Sequence, residues 1–195
     1  MGKLYFLKTY FYLTIILAFI CILLLEGCSK YSDEVQANLT KLKNTKECSG
    51  CDLTGIELIS FDLKGADLSR ANLTGSNLRR SDLSGANLTD ANLTDADLLG
   101  VNLTDATLIN TNLAGVKLSY ANINGANISG ALLKDAHMNS SKIVNSKIKN
   151  SDMTGANLYN ANLTDTKVSD DTLKKATLCK TIMPSGQQDD SRCKS

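Results

Sequence analysis

Residues 85–108 read GANLTDANLTDADLLGVNLTDATL, in which nearly the same five letters keep returning. A helix brings side chains back to one face every three or four residues and a strand every second residue, so a strict period of five belongs to neither. Stepping outward in fives from Leu53 to Met183, all 27 positions are Leu, Ile, Met or Val, and the frame holds across 131 residues. Two residues before each lies a second column, small almost throughout: Ala66, Ala71, Ser76, Ser81, Ala86, Ala91, Ala96 and on to Ala126. A coil with corners satisfies both columns. Each five-residue side turns one large apolar and one small residue inward, and four sides close a square. Stacked coils then join by backbone hydrogen bonds at the strand spacing of about 4.8 Å. So narrow an interior has no room for rings, which accounts for a chain of 195 residues with no Trp and 5% aromatics.

Residues 66–98, ADLSRANLTGSNLRRSDLSGANLTDANLTDADL, resemble the pentapeptide-repeat family, whose motif is A(D/N)LxX. That resemblance implies an all-β fold, a right-handed quadrilateral β-helix with four pentapeptides per coil. For the 27 sides here it implies about 6.75 coils, a rod roughly 32 Å long at the sheet spacing. CSGCDLTGIEL resembles a frequent opening of such rods and LCKTIMPSGQQDDSRC a recurring closing segment. Terminal coils need caps, since they otherwise expose apolar side chains and unpaired backbone. The caps fall to residues 35–51, with a short helix spaced by Val35, Leu39 and Leu42, and to residues 170–195. Ile56, Phe61 and Asp171 replace the small inward residue near the two ends, where repeats are expected to be atypical.

Ahead of the repeats, MGKLYFLKTYFYLTIILAFICILLLEGC combines Lys3 and Lys8 with an apolar run that stops at Glu26, an export signal. Leu25 and Gly27 before Cys28 resemble a bacterial lipobox, and Glu26 departs from it. Residues 1–27 are therefore expected to be a lipoprotein-type signal, with Cys28 the lipidated residue and membrane anchor; the alternative is an uncleaved signal anchor. Either way the repeats lie outside the cytoplasm, at the outer membrane or in the periplasm if the host has two membranes. Residues 28–47 form a tether, 48–183 the repeats and 184–195 the closing cap.

With the rod length the resemblance implies, the cysteines at opposite ends are about 30 Å apart, beyond the roughly 7 Å reach of a disulfide. Cys48 is then expected to pair with Cys51, and Cys179 with Cys193. The functional alternative for Cys48-Ser49-Gly50-Cys51 is a thiol redox accessory or half a zinc site, without the surrounding βαβ pattern a redox fold needs. No constellation of catalytic residues emerges, no metal or cofactor is expected, and His137 reads as an outward surface residue.

Function must then lie on the outer surface. From Asp52 to Asp105 nine acids face four bases, and from Ala106 to Met183 five acids face nine bases, so the rod is polarised along its axis. Lys142, Lys147 and Lys149 project outward near the distal end, and Leu99 and Tyr159 belong to an outward column expected to be exposed. These five residues form the candidate surface for an unknown protein or an envelope polymer. The resemblance also brings in relatives that mimic DNA and bind DNA gyrase. The near-neutral repeats, the unbroken frame and the export signal all point away from that role and from nucleic-acid partners. The expectation is a non-enzymatic scaffold of the cell envelope, whose C-terminal cap lacks the apolar end that dimeric relatives use.

Overall fold

The computed structural model describes residues 30–190, 192 and 193. The signal at 1–27 and the lipidation site Cys28 lie outside the described residues. Contacts gather the described residues from Val35 onward into one compact unit. Helix α1, Asp33–Thr45, carries Asp33 and Glu34 in its first turn and Lys43 in its last, matching the helix dipole at both ends. Its apolar stripe of Val35, Leu39 and Leu42 is buried. Asn38 Nδ2 donates to the carbonyl of Asp52 at 3.1 Å, and the Lys43 ammonium stands 5.9 Å from the centre of the Phe61 ring.

From Glu47 onward every bridge pairs a residue with the one 20 further along in parallel register, beginning Glu47↔Asp67, Asp52↔Asn72, Glu57↔Asn77 and Asp62↔Asp82. Twenty residues therefore make one coil of four five-residue sides. From Leu53 to Leu163 the apolar column points to the axis and is sealed from solvent, and the companion column is buried with it except at Phe61. Each side ends in a tight turn: the amide of the small residue donates to the carbonyl of the preceding Leu, as Ala66 does to Leu63 at 3.0 Å. The residue before it takes a left-handed backbone at every fifth position from Gly50 to Asp165. Such a turn favours Gly there, or Asn and Asp. Several buried hydroxyls in the small column find backbone partners one coil back, with Thr111 donating to Leu88 O at 2.8 Å and Ser151 to Ile128 O at 2.7 Å, whereas Ser141 donates to Met138 O in its own turn and the buried Ser76 Oγ has no partner. Coils join more fully at β1, Lys147–Ile148, paired in parallel with β2, Lys167–Val168.

The five-residue letters continue to Met183, but the conformation does not. Helix α2, Asp170–Leu173, replaces one side, and the left-handed corner is missing at Asp170 and Lys175 before it returns at Lys180. Ser169 caps this helix by accepting from the Thr172 amide, 3.2 Å from its Oγ, and Asp170 and Asp171 occupy its first turn. Ser-Asp-Asp is a strong helix start, and here it overrides the turn. As a result Asp171, due inward by the frame, is exposed and Thr172 is buried instead. Bridges resume at Asn157↔Thr177. An antiparallel hairpin, β3 (Thr181–Ile182) with β4 (Gln188–Asp189), follows. The Arg192 guanidinium donates to the carbonyls of Leu173, Lys174 and Ala176 at 3.0–3.2 Å, tying the last residues to the end of α2.

Candidate interaction surface

The outward letters follow a grammar of hydrogen bonds. The Asn or Asp ahead of each Leu accepts from the amide two residues on, and a Thr there adds its hydroxyl: Thr94 N and Oγ1 lie 3.1 and 2.7 Å from Asn92 Oδ1. The Asn amide then donates down the rod, as Asn92 Nδ2 does to Thr74 Oγ1 at 2.9 Å. Such ladders satisfy the side chains internally, so much of the surface is already committed. Hydrogen bonding from Ser69 and Ser84 holds the carboxyls of Asp67 and Asp82 below the ordinary carboxylate range. Residues that break the grammar are the ones left free to meet something else.

Numbering the sides from those that begin at Asp52, Glu57, Asp62 and Asp67, the five predicted surface residues fall on three of them. Leu99 and Tyr159 lie on the second side, Lys142 on the third, and Lys147 and Lys149 on the fourth. The structure therefore does not assemble them into one site. Leu99, expected to be exposed, is only partly so. It lines the floor of a shallow groove of about 340 Å³ together with Arg79, Asp97, Lys117, Ser119 and His137. Arg79 lies 3.6 Å from Asp97, and Lys117 and His137 occupy successive rungs of one column.

Around this groove the second side also carries three of the four large apolar side chains exposed among the described residues, Ile59 at 54%, Tyr159 at 41% and Tyr120 at 66%; the fourth, Leu132, is on the first side. Tyr120 was not expected from the sequence. Its signal was its place in the corner column, where a bulky ring holds a left-handed backbone with φ of 60° in a position suited to Gly, Asn or Asp. Lys180 stands 5.8 Å from the Tyr159 ring centre. The second side is thus a strip of exposed aromatic, arginine and lysine side chains around a central groove.

Cys48 and Cys51 are joined by a disulfide with Cα atoms 5.3 Å apart, and Cys179 and Cys193 by another with Cα atoms 4.7 Å apart. Cys48 and Cys51 are both buried, which denies an attacking thiolate the access that exchange requires. Among the described residues no three His, Cys, Asp or Glu side chains converge in a way that could hold a metal ion.

The model of the family described as pentapeptide repeats matches eight copies, over residues 47–85, 96–135 and 131–170. This chain belongs to the pentapeptide repeat family. Pentapeptide repeat proteins fold as right-handed quadrilateral β-helices, and they are generally non-enzymatic structural or binding proteins. Among solved structures, the pentapeptide repeat protein Rfr23 of the cyanobacterium Cyanothece is similar at 30% identity over 62% of this chain and 92% of that one, with a TM-score of 0.48. A pentapeptide repeat protein of Nostoc is 33% identical over 48% of this chain and 78% of that one, TM-score 0.45. HetL, also of Nostoc and involved in heterocyst differentiation regulation, is 21% identical over 83% of this chain and all of that one, TM-score 0.34. No curated protein sequence matches the chain.

Proposed function

We propose that this pentapeptide repeat protein is a non-enzymatic scaffold, held at the cell envelope by a lipid on Cys28, which offers the second side of its rod to a protein partner. The observation that carries this reading is the groove of Arg79, Leu99, Lys117 and His137 flanked by exposed Ile59, Tyr120 and Tyr159. Tyrosine and arginine are enriched among the few residues that carry most of the energy of a protein contact. The rigid coil holds them at fixed heights, so a partner meets a preorganised strip. Anchoring rests on the Leu25-Glu26-Gly27-Cys28 sequence, and Ser29 after the cysteine favours the outer membrane in a double-membraned host.

The test is capture of partners from the envelope fraction of the native host by wild-type protein and by a Tyr120→Ser, Tyr159→Ser, Arg79→Glu variant. Loss of a specific protein from the variant's eluate supports the assignment, and identical eluates refute it. Intact mass of the membrane-fraction protein reads the anchor separately. A chain beginning at Cys28 with an acyl increment supports lipidation, whereas an unprocessed chain rules it out.

A further inference from the structure

The fourth side carries a different pattern, independent of the groove. Its outward column, rung by rung, is Glu47, Asp67, Asn87, Thr107, Asn127, Lys147 and Lys167. Read from the centre, this column is its own complement. Thr107 is the middle, Asn87 and Asn127 stand one rung to either side, Asp67 and Lys147 two rungs away, and Glu47 and Lys167 three. The adjacent outward column has Ile109 at its centre, partly exposed, with Lys149 two rungs out on the basic half. Lys147, Lys149, Lys167 and Glu47 are exposed, and Asp67 is partly so. None of the ion pairs among the described residues involves any of them.

Asp67 accepts from the Ser69 amide and from Asn87 Nδ2 within the chain, but the acids of this column do not reach its lysines. Asp67 and Lys147 are four rungs apart and Glu47 and Lys167 six, or about 19 and 29 Å at the sheet spacing. A second copy packed alongside with its axis reversed brings each of these charges opposite its complement. A two-fold axis in the contact plane, running along the Thr107 rung, sets each column against the same column of the other rod, as isologous pairing requires. Every acid then faces a lysine, the two asparagine rungs face each other, and Ile109 meets Ile109. Parallel packing would instead set lysine against lysine, at a cost of several kcal/mol for like charges in contact.

We infer that the fourth side is a self-association surface, on which two copies of this chain pair antiparallel through Glu47–Lys167 and Asp67–Lys147 contacts about Thr107. Corner residues flank the face: Arg70 comes opposite Asn150, Asp90 opposite Gly130 and, on the other edge, Asp105 opposite its own copy. At the rim these are solvated and screened over about 8 Å at physiological salt. A strip some 29 Å long and one side wide is small for a protein interface. The pair is accordingly concentration-dependent, weakened by salt, and suited to chains crowded on one membrane surface.

The test uses the full chain in non-ionic detergent at low salt, mixed from isotopically light and heavy preparations and treated with a zero-length carbodiimide cross-linker. Mixed-isotope peptides joining Asp67 to Lys147 and Glu47 to Lys167 are the expected products. The separations above forbid these links within one rod. Asp67→Lys and Lys147→Asp should each lower the mixed-isotope yield about tenfold or more, and the two together should restore it. Lysine already stands in this outward position at Lys117, Lys142, Lys147 and Lys167, so the coil tolerates the exchange. Circular dichroism confirms folding of each variant. Absence of both links in folded wild-type protein, or failure of the double exchange to restore them in folded protein, overturns the inference. Links joining other faces instead would equally replace it.

Discussion

The coils between Asp62 and Val168 and the segment from Ser169 to Cys193 obey the same apolar period but are held together differently. In the middle of the rod each inward leucine is enclosed by the coils above and below, and every corner is left-handed. At the distal end α2 breaks the corner rule, Val168 and Met183 are only half-buried, and a disulfide, a hairpin and the Arg192 guanidinium take over. A solenoid interior is stabilised by its neighbours, whereas its end has a neighbour on one side only and must be tied by local devices.

The largest expected effect follows from that enclosure. Leu93→Ala in the middle opens a cavity that the adjacent coils cannot collapse into, and should cost about 3 kcal/mol or more in urea unfolding. Met183→Ala, at a position already partly in solvent, should cost about 1 kcal/mol. Equal losses at the two sites would erase the distinction between middle and end. Next comes the distal tie. Cys193→Ser releases a closed loop with a separation of 14 residues, worth about 3 kcal/mol in the chain-entropy account. Faster hydrogen exchange should be confined to residues after Ser169, because repeats interact only with their neighbours. Acceleration reaching back to the Leu93 coil would show that the rod unfolds as one unit.

A third, smaller contrast concerns corners. Gly125 has φ of +72°, and a Cβ there would collide with Asp105 Oδ1 on the rung below. Gly125→Ala must strain the backbone and push that carboxylate aside, with an expected loss of about 1–2 kcal/mol. Lys175 occupies the same position in the five-residue frame but has no left-handed backbone. Lys175→Ala should therefore change the unfolding midpoint little.

The interior was legible because one side chain type in one phase suffices to place it: the leucine column and its small companion define a side whatever the corner contains. Helix α2 was not legible in that column, since Leu173 keeps the phase and stays buried while the backbone around it coils differently. The competing signal was Ser169-Asp170-Asp171, a helix start embedded in the repeat. On the surface, the period of five was the wrong ruler. Lys142, Lys147 and Lys149 are close in sequence yet straddle a corner, while Glu47 and Lys167, at opposite ends of the repeats, share a column. Neighbourhood outside the rod follows a period of 20, which placed Leu99 and Tyr159 in one column from the sequence but was not applied to the lysines.

The smallest effect separates the two regions by pH. Asp67 and Asp82 in the ladder have carboxyls held below their ordinary range by hydrogen bonding from Ser69 and Ser84, side chain first and backbone amide second. Asp152 is held down in the same way by Thr154, whose Oγ1 lies 2.6 Å from its Oδ1. A carboxyl whose pKa is depressed on folding contributes stability that is complete above the unfolded value of about 4 and is lost as pH falls through the lower folded value. Stability should thus hold steady from neutral pH down to about 5 and decline below it. Asparagine fills the same place at Asn72, Asn92 and Asn102 with the same accepted amide bond and nothing to titrate. Replacing Asp67, Asp82 and Asp152 together with Asn should flatten the acid limb of the stability curve while leaving the neutral value nearly unchanged. Asp171→Asn, at an exposed pair with Lys174 on α2, should leave that limb as it was, because a fully solvated ion pair adds little. If the Asp171 variant alone flattened the curve, acid sensitivity would belong to the distal end and the ladder would be inert to protonation.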